Sequence, residues 1–467
     1  MLELQLLNKN MITKRIFLYL ITVAFFAACS EDKPLQQQWS GTVAIGTSKL
    51  NIGFTINTGT DGKQTCTMDV PEQGAKDIPA ELAKNDKDSL CITIPMLKAV
   101  YNGSKLSDDS IHGVFTQNGI ALPLNLKVGR VEPDRTQTPQ QAEYKTEEVV
   151  FKNDAEGAEL AGTLTYPLNF DDFDKGTVPV VLMVSGSGSQ NRDEEIMGHK
   201  PFLVIADYLA KNGIASLRYD DRGVGGSKGP LEGITTMNNM ADASAGVAYL
   251  RSLGKFGKVG VLGHSEGGTI AFMMAADGKA DFIISLAGSA ACGIDVIVGQ
   301  NEALMQLQGV PQKIIDDYAA ALRIIYKDRV SGVKIAEKSK YIEEQCKNNG
   351  LQLTDALKVN LEKCMTYGGE WFTWFLGYDP ADAISKADCP VMAVNGKLDM
   401  QVLSKDNIPV IKKNLPPGGN NLIKEYDALN HLFQRCTAAM ALNYGAIKET
   451  ISEEVLMDIV NWIKKLF

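Results

Sequence analysis

The run Gly263-His264-Ser265-Glu266-Gly267 sets a serine between two glycines, each two positions away. A serine hydroxyl is a poor nucleophile at neutral pH. It needs an adjacent base, a group that orients the base, and donors for the oxyanion that develops. Gly-x-Ser-x-Gly serves this chemistry on a strand-to-helix turn so tight that only small residues fit beside the serine. Val259-Gly260-Val261-Leu262 precedes the motif as a strand, and Gly268-Thr269-Ile270-Ala271-Phe272 follows as the start of a helix. The helix N-terminus favours negative charge near Ser265. The chemistry expected is acyl transfer to water through a serine-bound intermediate.

With 4 histidines, the base can be sought by elimination. His112 falls in a β-patterned N-terminal stretch, and His264 sits on the elbow itself, where the turn should point it away from Ser265. His199 follows the first full core strand. His431, in Leu429-Asn430-His431-Leu432-Phe433, follows the last expected strand and is the expected base. Asp399 ends the loop Asn395-Gly396-Lys397-Leu398-Asp399 after the strand at 390–394, and should hold the imidazole tautomer. Asp427 competes, but lies only four residues before His431. The order Ser265, Asp399, His431 follows. For the oxyanion, one N–H is expected from Glu266 and one from Ser185-Gly186-Ser187-Gly188-Ser189-Gln190, with Ser187 preferred and Gly188 second. That glycine-rich loop lacks the lysine of a P-loop and the dinucleotide fingerprint.

These residues need a scaffold. From Trp39 to about Leu126 short alternating runs (41–44, 50–56, 64–70, 89–95, 111–117 and 121–128) separated by Gly, Asn and Asp predict a small antiparallel β domain over 36–128. Residues 129–144 are polar and proline-containing and read as a linker. From 145 to 467 strands and helices alternate, which predicts βαβ units and a mostly parallel sheet flanked by helices. Val178 to Val184 is a continuous apolar run of the kind buried in such sheets, and 201–211 follows as a helix. The alternation breaks over about 290–380, where amphipathic stretches at 312–326 and 353–364 predict a helical lid insertion over the carboxyl ends of the strands. The aromatic run 370–375 could line an acyl pocket or pack the lid on the core.

Composition narrows the function classes. A hydrophobic fraction of 45% and a charged fraction of 22% are ordinary for a globular protein of 467 residues. The net charge of -9, without a Lys/Arg-rich run, argues against nucleic acid as a partner. No CxxC pair accompanies the few histidines, so neither a metal nor another cofactor is expected. Lys9, Lys14 and Arg15 precede an apolar run from Ile16 to Ala28, as in an export signal over 1–29. Phe26-Ala27-Ala28-Cys29-Ser30 resembles a bacterial lipobox, which implies lipidation at Cys29, a membrane anchor and a periplasmic or cell-surface location. Export permits disulfides, with Cys66–Cys91 and Cys346–Cys364 as possible pairs and buried free thiols as the alternative.

Several segments together resemble exported bacterial α/β-hydrolase esterases: 160–164, 185–193, His199-Lys200-Pro201-Phe202, Arg218-Tyr219-Asp220-Asp221-Arg222-Gly223-Val224-Gly225 and 263–267. The resemblance covers roughly 148–467 apart from the lid, and the preceding β module more loosely. It implies a carboxylesterase acting on small-molecule esters with short acyl chains. Many relatives carry His where this chain has Ser185. A serine peptidase, amidase or acyl thioesterase on the same fold is the alternative, and a non-enzymatic surface binding protein a more distant one. Asp220, Asp221 and Arg222 are expected to be loop scaffolding.

Overall fold

The computed structural model describes residues 35–45, 48–59, 61–73, 75–129, 135–139 and 143–467. The expected export signal, Cys29 and parts of the expected linker lie outside the described residues. The chain divides into two units, one carrying the first nine strands and the other the remaining strands with the helices.

The first unit contains β1 (Leu35–Ile45), β2 (Ser48–Thr58), β3 (Gln64–Val70), β4 (Ala75–Asn85), β5 (Ser89–Ile94), β6 (Ala99–Ser107), β7 (Ser110–Gln117), β8 (Ile120–Pro123) and β9 (Leu126–Val128). They form one antiparallel sheet in the order β6-β5-β4-β3-β2-β1-β9-β7-β8, and β6 also pairs with β7, so the sheet closes into a barrel. Period-two alternation buries Leu90, Ile92 and Ile94 of β5. Tyr101 and Phe54 meet in the same core, ring centroids 5.6 Å apart. Strands β4 and β6 have no counterpart among the expected strands. β4 carries Pro79 and several charges, and none of its described side chains is fully buried, while β6 passes from Ala99 and Tyr101 into Asn102-Gly103-Ser104-Lys105. Both form because neighbouring strands supply their pairing, which outweighs weak local propensity. The single strand expected over 121–128 divides into β8 and β9 at Leu124-Asn125.

The second unit opens with the hairpin β10 (Thr146–Asn153) and β11 (Ala158–Thr165), then β12 (Val180–Val184), α1 (Pro201–Lys211), β13 (Ala215–Tyr219), α2 (Thr236–Ser252), β14 (Val259–His264), α3 (Glu266–Ala276) and β15 (Phe282–Leu286). A helical insert follows: α4 (Gly293–Leu307), α5 (Gln312–Val330), α6 (Lys338–Asn349), α7 (Asp355–Cys364), α8 (Gly369–Gly377) and α9 (Ala381–Ser385). The sheet resumes with β16 (Val391–Gly396), α10 (Ser404–Asn414) and β17 (Leu422–Tyr426), and α11 (Glu453–Leu466) closes the chain.

The sheet order is β10-β11-β13-β12-β14-β15-β16-β17. β10, β11 and β13 run antiparallel to one another in turn, and the pairs from β13 through β17 are parallel. Every residue of β12 to β16 is buried, as helices covering both faces require. The chain leaves β12 toward β13 on one side and returns to β14 on the other. In such sheets ligands bind in a crevice at the reversal, here at the carboxyl ends of β12 and β14. One core cluster gathers α2, α3 and α10 with the sheet, and a second gathers α1 with the stripe Val455, Leu456, Ile459, Val460 and Ile463 of α11. The insert has its own core around Tyr318, Leu322, Tyr326, Leu361 and Phe372.

Part of the expected linker is docked. Arg135 is buried and donates to the carbonyls of Met197, Gly445 and Ile447 at 2.7, 3.0 and 2.8 Å. Gln137 exchanges hydrogen bonds with Thr450 and Ile451. Polar composition suggested a free segment, but these groups hydrogen-bond to loop carbonyls and amides. Cys66, Cys91, Cys292, Cys346, Cys364, Cys389 and Cys436 are all free thiols. Among the described residues no helix is long and apolar enough to cross a membrane.

Candidate active site

Ser265 stands alone between β14 and α3 at φ 54°, ψ −118°. A non-glycine residue with positive φ carries backbone strain, which the surroundings must impose. They do so through glycines. A Cβ on Gly263 would lie 1.9 Å from the Gly267 carbonyl oxygen, and one on Gly267 would lie 2.1 Å from that of Val184. The motif glycines therefore answer to close backbone approach. Ser265 N–H donates to the Leu286 carbonyl at 2.9 Å, which ties the elbow to the end of β15. The N–H groups of Glu266 and Gly267 open α3, where no earlier turn of helix supplies acceptors.

His431 and Asp399 come together. His431 Nδ1 lies 2.8 Å from Asp399 Oδ2, and both side chains are buried. Asp399 Oδ1 accepts from the N–H groups of Gln401 and Val402 at 2.8 and 2.9 Å, so the carboxylate is held independently of the histidine. The two loops are joined by Leu398 N–H to the Leu429 carbonyl at 3.0 Å. Asn430 braces the histidine loop by accepting from the N–H groups of Leu432 and Gln434. Asp427 does not take part: it is exposed and pairs with Lys397 Nζ at 2.6 Å.

The loop after β12 abuts Ser265. A Cβ on Gly186 would come within 3.1 Å of Ser265 Cβ. Gly186 N–H donates to Glu194 Oε1 at 2.8 Å, which occupies it, while Ser187 and Gly188 are exposed and Gly188 has φ 98°. Ser185 Oγ is 3.0 Å from both oxygens of Asp221, and Gln190 N–H donates to Asp221 Oδ2 at 2.8 Å. Burial, reinforced by the charges of Glu266 and Glu194 and opposed by these hydrogen bonds, pushes the Asp221 carboxyl up to about 8. Asp220 binds the backbone and guanidinium of Arg192, and Arg222 is paired with Asp242 and Glu156. All three residues of this run therefore shape loops.

The remaining histidines have separate surroundings. His112 is exposed on β7. His199 is fully buried, 3.0 Å from Thr450 Oγ1 and 2.9 Å from the Tyr444 carbonyl. Burial, aided by the Arg135 charge, pushes its pKa down to about 4. His264 lies close to the base, its ring centroid 4.7 Å from that of His431. The Glu266 side chain is also buried and accepts from Thr236 Oγ1 at 2.7 Å and from Trp371 Nε1 at 3.0 Å. The aromatic run 370–375 divides: Phe372 fills the core of the insert, Trp374 packs against the sheet core and stacks on Tyr378 at 4.6 Å, and Trp371 faces Glu266. Its main role is packing between the insert and the sheet.

Glu194, His264 and the Glu266 side chain are the site residues that spacing did not reveal. Glu194 and His264 stand 70 residues apart, and no pattern within either segment announces the pairing.

An elbow serine on a mostly parallel sheet, with a histidine–carboxylate pair on the following loops, defines a hydrolase of the α/β-hydrolase fold. The family model for X-Pro dipeptidyl-peptidase (S15 family) matches residues 156–416, and the chain belongs to that family. The esterase EstD of Thermotoga maritima is 25% identical over 306 residues, which span 66% of this chain and 66% of EstD, slightly under two thirds of its length. Among solved structures, the Pyrococcus furiosus esterase Pf2001 is 16% identical with a TM-score of 0.42, covering 72% of this chain and 98% of that one. The proline iminopeptidase of Mycobacterium smegmatis is 13% identical with a TM-score of 0.41, covering 68% and 98%.

Proposed function

We propose that this protein hydrolyses carboxylic esters with short acyl chains through Ser265, His431 and Asp399. The observation that carries the reading is the buried His431–Asp399 pair, 2.8 Å apart, on the same sheet edge as the strained Ser265 elbow. Ser265 Oγ attacks the acyl carbon as His431 Nε2 takes its proton. Asp399 keeps the other ring nitrogen protonated and stabilises the imidazolium. The N–H groups of Ser187 and Glu266 hold the oxyanion, His431 returns the proton to the leaving alcohol, and water releases the acyl enzyme by the same steps in reverse. The insert α4–α9 acts as a lid over the crevice. The chain is exported and anchored to a membrane by lipid on Cys29.

A second reading, a dipeptidyl peptidase, rests on the family match over 156–416. The ester reading is preferred because the buried Glu266 carboxylate, which could receive a peptide amine, already accepts from Thr236 and Trp371. The test is turnover of p-nitrophenyl acetate and butyrate beside X-Pro p-nitroanilides. Esters should be cleaved and Ser265→Ala should abolish that turnover while the fold persists. Full activity of the variant would overturn the mechanism, and exclusive cleavage of the anilides would favour the peptidase.

A further inference from the structure

A second histidine–carboxylate pair lies behind the first. Glu194 is 1% exposed and sits on the loop between β12 and α1, at φ 50°. A left-handed backbone at a non-glycine residue is strained, so the fold gives up stability to put this carboxylate where it is. One oxygen, Oε1, receives two groups: the N–H of Gly186 at 2.8 Å and Nδ1 of His264 at 2.9 Å. The other ring nitrogen, Nε2 of His264, is 3.0 Å from the backbone carbonyl of His431. One chain of hydrogen bonds thus runs from the loop beside Ser265, through Glu194 and His264, to the backbone of the base.

The chemistry of the ring restricts its protonation. A neutral imidazole has one donor and one acceptor nitrogen. His264 faces an acceptor on both sides, a carboxylate and a carbonyl, and satisfies both only when both nitrogens carry protons. Burial works against this charged form, but the Glu194 carboxylate and both hydrogen bonds, with the Asp399 charge beyond, outweigh it and hold the His264 pKa above its usual value. Asp221, across the loop after β13, contributes a further acidic group near Glu194.

We infer that Glu194 and His264 are positioning residues for the hydrolytic reaction, which join the oxyanion loop to the backbone of His431 so that the two halves of the site keep one fixed separation. The inference rests on the serine-hydrolase reading. Neither residue touches substrate. Each donor and acceptor in the chain is directional, so a displacement of the Gly186 loop is resisted by the His431 backbone. Such rigidity matters most in the transition state, where oxyanion and imidazolium exist together.

Glu194→Gln is the discriminating variant. Its amide oxygen still accepts from Gly186 N–H, but without the negative charge His264 loses its second proton. The neutral ring then donates to the substituted amide or to the His431 carbonyl, not to both. The expected result is a fall in kcat of about 10- to 100-fold at nearly unchanged KM for p-nitrophenyl butyrate. Glu194→Asp, which keeps the charge, should recover part of the loss. Circular dichroism establishes that each variant is folded. Wild-type protein provides a second measurement that does not depend on the variants. With 15N-labelled histidine, one of the 4 rings should keep both nitrogens protonated to a higher pH than a free imidazole does, and that signature should vanish in His264→Gln. An unchanged kcat in Glu194→Gln, or a wild-type protein in which no ring holds its second proton to higher pH, overturns the inference. Wild-type protein that neither cleaves the ester nor reacts with a fluorophosphonate overturns the serine-hydrolase reading instead, and this inference with it.

Discussion

Trp371 Nε1 donates to the Glu266 carboxylate, at 3.0 and 3.1 Å from its two oxygens, and so ties helix α8 of the insert to the residue directly after Ser265. Only 3% of Glu266 is exposed, and Thr236 also donates to its side chain. The tie makes the insert and the Ser265 elbow mechanically continuous.

Trp371→Phe keeps an aromatic ring and removes the donor. A hydrogen bond to a charged group contributes roughly 1.5–3 kcal/mol, and its loss leaves part of a buried carboxylate unpaired. The variant should lose stability of about that size in urea denaturation. If the insert is a lid, KM for p-nitrophenyl butyrate should change as well. Unchanged stability would mean that the Trp371 contact contributes nothing in solution.

Asp399→Asn should remove nearly all turnover. The N–H groups of Gln401 and Val402 both point at Oδ1, so an asparagine is forced to set its oxygen there and turn its NH2 toward His431 Nδ1. That face then demands a lone pair, which puts the ring proton on Nε2, where the base must be free. In a serine triad this wrong tautomer lowers kcat by about 10⁴-fold. Steady-state kinetics would measure it. Loss below about tenfold would point to another acid.

His199 gives an acid-side signature. Its folded pKa, near 4, lies below the unfolded value, so it binds its proton more readily in the unfolded chain. Stability is therefore fully present above the unfolded pKa of about 6.5 and declines as pH falls through the interval toward 4, by up to roughly 3 kcal/mol. His199→Asn should be less stable at neutral pH, having lost its partners, but should show a flatter decline over that interval. Urea denaturation at a series of pH values tests this. An identical acid slope in the variant would show that His199 does not carry it.

Much of the second unit was legible in the sequence because its signals are local. Fully apolar runs such as Val180–Val184 announce buried parallel strands, and the helix expected over 201–211 forms as Pro201–Lys211. The turn around Ser265 is written in its glycines, since no other residue fits within about 2 Å of a neighbouring carbonyl. The barrel was less legible. β4 and β6 are polar along much of their length, and they become strands because β3, β5 and β7 pair with them.

The candidate nucleophile and its partners, a serine between glycines with an aspartate and a histidine downstream, were determined by residue type, spacing and order alone. Those properties depend on turns and strands that neighbours in sequence specify. Tertiary structure decided which groups touch. It put Asp399 rather than Asp427 on His431, because the loops after β16 and β17 are joined at Leu398 and Leu429 while Asp427 points outward to Lys397. It also set Glu194 against His264 and Trp371 against Glu266, across separations of 70 and 105 residues. Contacts of that range depend on how the elements pack, and no local pattern carries them.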